Sequence, residues 1–115
     1  MSDTESTSLS PVSYQILLAL AGRERHGYLI RKAVEAQTDG AVQLGPATVY
    51  SAIRRLEDNG LIEESPHRPD ADLDDQRRRY YRLTRSGRSA LRRETDRLQA
   101  TVAFALRQLK ANPNR

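Results

Sequence analysis

Residues 44–62 read LGPATVYSAIRRLEDNGLI, and the order of residue types in this stretch decides the fold. Gly45 followed by Pro46 opens a helix, because proline at the first helical position gives up an N–H that would have no intrahelical partner anyway. Val49, Ala52, Ile53 and Leu56 recur at three- and four-residue spacing and so line one apolar stripe. Asn59 and Gly60 supply a left-handed stop, after which Leu61, Ile62 and Glu63 resume as a strand. Turning about 100° per residue away from the stripe sends Ala47, Thr48, Ser51, Arg54 and Arg55 outward, with Tyr50 on the flank. Small side chains at Ala47 and Ser51 allow close approach to base edges. Thr48 and Tyr50 can donate to phosphate, and both arginines can reach phosphate or guanine. For Tyr50 a half-buried packing role is the alternative.

Upstream, Ser10 caps a first helix with Pro11 in its first turn and Val12, Ile16, Leu17 and Leu20 on its inner side, ending near Gly22. A charged turn, Arg23 to Arg25, precedes a second helix that begins around His26 to Tyr28, buries Leu29, Ile30, Ala33 and Val34, and stops before Asp39 and Gly40. Ala41 to Leu44 has the character of a short edge strand. Downstream, Arg79 to Thr84 is a second strand, with Tyr81 and Leu83 on one face, which completes a hairpin with the strand begun at Leu61. Between the two strands, residues 66–77 carry two prolines and four aspartates and are too polar to bury, so they protrude as a loop. Thr84 then caps a last helix over 85–111.

Three helices, a hairpin and a protruding loop make the winged form of the helix-turn-helix. The expected architecture is mainly α with a small β-hairpin. Residues 1–9 form a disordered tail, 10–84 the winged helix-turn-helix DNA-binding domain, 85–111 a C-terminal dimerisation helix, and 112–115 a frayed end. Leu91, Thr95, Leu98, Val102, Ala105 and Leu109 form one seam on the last helix. Nothing downstream covers that seam, and leaving it in water costs roughly 25 cal/mol per Å², so it is assigned to a second copy of the chain, through Leu91, Leu98, Val102, Ala105 and Leu109. Packing of Leu98 and Val102 back onto Leu17 and Leu20 is the alternative use. A small-molecule effector of unknown identity would find its place in the dimer cleft near Tyr14, Phe104 and Leu106.

The chain has 115 residues, a formal charge of +4 and no cysteine, which removes disulfides, thiolate catalysis and thiolate metal sites. Nine arginines between Arg77 and Arg97 face only Glu94 and Asp96, a local excess suited to an anionic partner or to a solvated helix face. Arg77, Arg78 and Arg79 begin the descending arm of the wing, and alternation directs at least one of them to DNA. Asp70, Asp72, Asp74 and Asp75 just before them are repelled by phosphate, so the tip points away from DNA or folds onto the arginines. Their D-x-D-x-D spacing is not a calcium loop, because the sixth position is not glycine and the twelfth is Tyr81. His26 and His67 have no nucleophile or ligand cluster at useful spacing, and no phosphate-cradling glycine loop occurs, so neither an enzyme nor a cofactor or metal is expected. No run of roughly 18 apolar residues is present, no membrane partner is expected, and the polar N-terminus makes the cytoplasm the default location.

Two runs of residues resemble PadR-type regulators. One is Leu44 through Tyr50 with Arg54 to Glu57 and Gly60 to Ile62, and the other is Tyr81 to Thr84 with Gly87 and Leu91. His26, Gly27 and Tyr28 match the opening of that family's second helix. The resemblance spans about residues 10 to 110. Ala47 stands where the family often has glycine, and the aspartate-rich wing is longer and more acidic than its commonest form. The resemblance implies a homodimeric repressor on a palindromic operator in double-stranded DNA, often beside its own gene, and released by a small ligand in some members. A winged-helix protein-interaction module, docking through the acidic wing, is the reading from another class.

Overall fold

A computed structural model of the chain describes residues 9–66 and 79–114. Helix α1 spans Pro11–Ala21, strand β1 Arg25–His26, helix α2 Gly27–Gln37, helix α3 Pro46–Asp58, strand β2 Ile62–Glu64, strand β3 Tyr80–Leu83 and helix α4 Arg85–Ala111. The helix starts follow their capping chemistry. The Ser10 hydroxyl accepts from the Ser13 N–H at 3.1 Å, His26 Nδ1 accepts from the Leu29 N–H at 3.4 Å, and the Thr84 hydroxyl accepts from the Gly87 N–H at 3.0 Å. Each satisfies an amide that the first helical turn leaves open. Only α3, opened by Gly45 and Pro46, has no side-chain cap.

The core gathers Ile16, Leu17 and Leu20 of α1, Ile30 and Val34 of α2, and Val49, Ala52, Ile53 and Leu56 of α3 around Ile62, Tyr81, Ala90 and Leu91. The apolar stripe of α2 is narrower than expected, since Leu29 and Ala33 are only half-buried. Leu9 packs against the core, so it belongs to the fold and not to a tail. Residues 1–8 lie outside the described residues.

The edge strand expected over 41–44 is corrected. Ala41 to Leu44 forms no strand. Asp39 and Gly40 both adopt positive φ, 53° and 81°, and fold the chain back so that the Gly40 N–H bonds to the Glu35 carbonyl at 2.8 Å and the Val42 N–H to the Thr38 hydroxyl at 3.0 Å. Arg31 Nε takes the Leu44 carbonyl at 3.0 Å, so the segment spends its polar groups on α2 and offers no free ladder to a strand. The expected hairpin of β2 and β3 forms and gains a third strand, giving an antiparallel sheet of order β1-β3-β2. Arg25 and His26 pair with Tyr81 and Tyr80, while Ile62, Glu63 and Glu64 pair with Leu83, Arg82 and Tyr81. The charged turn is thereby anchored. Arg25 Nε donates to the Ala19 carbonyl at 2.7 Å and the Ser65 hydroxyl to Glu24 Oε1 at 2.6 Å. Tyr80, unremarked in the sequence, is buried with its ring edge-on to His26 at 5.1 Å between centroids.

Helix α4 is joined to the wing at its first turn. The Thr84 N–H bonds to the Leu61 carbonyl at 3.1 Å and the Thr84 hydroxyl donates to the Gly60 carbonyl at 2.6 Å. A Cβ on Gly87 would stand 1.9 Å from the Leu61 carbonyl oxygen, a backbone atom that cannot swing aside. Gly87→Ala is therefore expected to destabilise the protein by at least the 1–3 kcal/mol typical of overpacking, read as a lower urea midpoint at unchanged slope.

Candidate nucleic-acid interface

Helix α3 is held by its aliphatic side and free on the other. Val49, Ala52, Ile53 and Leu56 are buried, whereas Ala47, Thr48, Tyr50, Ser51, Arg54 and Arg55 are all exposed. The rotation read from the sequence is the one the core imposes, and it leaves a face of small, hydroxylic and cationic side chains. Tyr50 takes up the packing role foreseen as its alternative. It is 40% exposed, yet its ring lies so close over Gly27 that a Cβ there would sit 2.6 Å from ring atoms. Only the bare backbone of glycine at the start of α2 lets this ring lie down.

The wing arginines divide. Arg79 is exposed at the foot of β3, and Arg77 and Arg78 lie outside the described residues, as do His67 and the aspartates from Asp70 to Asp75. Arg82 is committed to Glu63 on the neighbouring strand, Nε to Oε2 at 2.8 Å. The Glu57 carboxyl at the end of α3 is raised above the usual carboxylate range by burial and then by Glu64 and Asp58, with Arg79 and Arg54 pulling the other way. The Tyr81 hydroxyl is likewise pushed up by burial, then by Glu57 and Glu64, against Arg79. Arg54 of the helix and Arg79 of the wing thus both act on Glu57. Glu57 and Glu64 have no place among the candidates read from sequence. The register that sets Glu64 opposite Tyr81 is the signal that could have found them.

Among the described residues the arginine-dense stretch is divided between β3 with its flank and α4. Arg85, Arg88, Arg92 and Arg93 are exposed on α4, which packs on α1 and β3, while α3 packs on α2, α1 and β2. Arg97 turns back along α4 and chelates Glu94, donating from Nε to Oε1 at 3.2 Å and from a second nitrogen to Oε2. That contact, ahead of the opposing effect of burial, holds the Glu94 carboxyl below its ordinary range, with the Leu9 amide assisting.

The seam of α4 is split as well. Leu91 is 8% exposed and belongs to the core of its own chain, which corrects its assignment to a partner-facing stripe. The body of the domain ends near Leu98, which is half-buried, and α4 runs on past it. Val102 and Leu109 are then 56% and 65% exposed, and Ala105 is exposed between them. Of the two residues with an alternative use on Leu17 and Leu20, Leu98 is half-buried and Val102 stays 56% exposed. Tyr14, Phe104 and Leu106 are not brought together within the chain. The Tyr14 hydroxyl bonds to the Thr95 hydroxyl at 2.9 Å, and Phe104 and Leu106 lie about 200° apart around α4. Leu106 adjoins the Val102 stripe, and Phe104 sits on the other side beneath the Arg107 guanidinium, 5.7 Å from the ring centroid.

Among the described residues no helix is long and apolar enough to cross a membrane. The model of the transcriptional regulator PadR-like family matches residues 16–93. An uncharacterised protein X of Lysinibacillus sphaericus is 33% identical over 77 residues, covering 66% of this chain and 67% of that one. Among solved structures, a transcriptional regulator from Clostridium thermocellum is 29% identical with a TM-score of 0.67, covering 84% of this chain and 87% of its own. A PadR family transcription regulator from Clostridium difficile is 23% identical with a TM-score of 0.71, covering 87% and 99%.

The packing of Tyr50 on Gly27 yields a direct test. In Gly27→Ala the added methyl lifts the ring, and one of the five tyrosine ring signals in a tyrosine-labelled NMR spectrum is expected to shift strongly. The α3 core signals from Val49 and Ile53 should stay in place.

Proposed function

We propose, from the premise that this chain belongs to the PadR-like family of transcriptional regulators, that it is a homodimeric repressor binding a palindromic operator. Membership makes it a DNA-binding regulator with a winged-helix fold and not an enzyme. The finer reading rests on one observation above the others. The exposed face of α3 consists of Ala47, Thr48, Tyr50, Ser51, Arg54 and Arg55, and its buried stripe prevents the helix from presenting any other face.

In this reading residues 10–84 dock on the duplex and 85–111 pair the two subunits. Ala47 and Ser51 set the depth of α3 in the major groove, Arg54 and Arg55 contact base edges or phosphate, and Thr48 and Tyr50 hold the backbone. Arg79, with Arg77 and Arg78 before it, serves the wing contact. Leu98, Val102, Ala105 and Leu109 bury one another across a two-fold axis, which explains why so apolar a stripe is carried on a helix that outreaches its own domain. A two-fold dimer sets two copies of α3 about one DNA turn apart, roughly 34–36 Å, and so calls for a palindrome. Repression follows by occlusion of the promoter.

Two measurements test this. Replacing Arg54 and Arg55 by alanine should weaken binding to an operator selected from a random library by at least about tenfold, since a good base contact is worth roughly 1–3 kcal/mol. Retained affinity would instead favour a winged-helix module whose partner is protein. In sedimentation, Val102→Glu should convert the dimer to a folded monomer, and a dimer that survives the buried charge would place the interface elsewhere.

A further inference from the structure

Helix α4 is tied to the body at two levels. The first is its own start, where Thr84 bonds to Gly60 and Leu61. The second lies about 16 Å further along the helix, where the Tyr14 hydroxyl of α1 and the Thr95 hydroxyl of α4 are 2.9 Å apart. At the same level Glu94 is buried and meets the Leu9 amide at the lead-in to α1, while Arg97 donates to it from along α4. Between the two levels the contacts are apolar, with Ala90 and Leu91 resting on the core. Apolar packing opposes separation of two surfaces but does little against their rolling on one another, because it has no direction. A hydrogen bond has one and weakens steeply as it bends. The tie at Thr95 also stands where leverage is greatest. Beyond it Leu98 is half-buried, every later residue of α4 is exposed, and about 24 Å of helix runs on to Ala111. A tilt of about 10° at this point moves the far end by about 4 Å, close to the rise of one base pair.

We propose that the hydrogen bond between Tyr14 and Thr95 is a positioning contact that fixes the direction in which α4 leaves the domain, and with it the half-site separation that the dimer accepts. The inference rests on the homodimer reading given above. With the far part of α4 paired across a two-fold axis, each domain hangs from the dimer by its own α4. The angle between α4 and α1 then sets where α3 stands, and the two-fold axis doubles any error in it. Both partners suit the task. Tyr14 carries its hydroxyl on a rigid ring, from a helix that Ile16, Leu17 and Leu20 seat in the core, and Thr95 is β-branched and restricted at χ1.

The test uses the full-length protein and a panel of palindromic duplexes built from the selected operator, with base pairs added or removed at the dyad, and a duplex carrying a single half-site as control. The unaltered protein should bind one spacing best. Tyr14→Phe, which deletes one oxygen, should lower the affinity ratio between that spacing and its one-base-pair neighbours by about fivefold, the equilibrium factor of one net hydrogen bond. Its dimer in sedimentation and its affinity for the single half-site should stay as they were. Thr95→Ser keeps the hydroxyl and should keep the unaltered profile. A Tyr14→Phe profile as sharp as that of the unaltered protein overturns the proposal. So does a Thr95→Ser profile as flat as that of Tyr14→Phe, which would assign the effect to packing, and so does loss of the dimer in Tyr14→Phe, which would make the residue part of the interface. Failure of the underlying reading looks different: an unaltered protein that is monomeric, or that binds every spacing alike, removes the two-fold dimer and the positioning contact together.

Discussion

The docking of Val49, Ile53 and Leu56 into the layer made by Ile16, Leu17, Ile30 and Val34 is the contact on which the rest of the molecule depends. All seven side chains are at most 2% exposed, so any rotation of α3 would open a cavity and pull apolar surface into water. Rotation is thereby locked, and with it the identity of every side chain on the outer face. Among the described residues no ion pair engages the polar face of α3. That face is defined by what its opposite side cannot give up, which leaves Thr48, Ser51, Arg54 and Arg55 exposed.

A second junction connects the wing to α4. Thr84 bonds to both Gly60 and Leu61, and Gly87 lets the first turn of α4 rest directly on the Leu61 carbonyl. The start of β2, the end of β3 and the start of α4 therefore move as one piece. Helix α4 divides its labour along its length. Ala90, Leu91 and Glu94 face the domain, and from Val102 onward the helix leaves it. A helix of 27 residues is about 40 Å long, and among the described residues only its first half is covered.

Charge on this protein is arranged by element and not by sequence proximity. Arg82 is spent on Glu63 and Arg97 on Glu94, while Arg85, Arg88, Arg92 and Arg93 are exposed on α4, which packs on α1 and β3. Besides Glu57 on α3 itself, the groups that act electrostatically on this end of the helix come from the wing, Arg79 and Glu64. Carboxylates beside Arg54 and Arg79 keep these arginines from being a uniform attractive field, so the potential near α3 has structure on the scale of single side chains.

Local chemistry in the chain was enough for the helices and their faces. Ser10, Pro46, Gly60 and Thr84 mark ends by backbone preference alone, and the periods of Val49 to Leu56 state which side is inner, because both signals act within a few residues. For the same reason the exposed set on α3 and the bounds of α4 were legible without a fold. Tertiary structure alone decided the rest. Whether Arg25 and His26 became a turn or a third strand depended on the free edge of β3, more than fifty residues away. Whether Leu91 faced a partner or its own core depended on where α4 leaves the domain. Tyr50 lay down because Gly27 happened to be beneath it, and Glu57 acquired its neighbours through the register of the wing. Each of these is a pairing between segments distant in the chain, and a short-range pattern carries no information about which distant atoms will fill the space beside it.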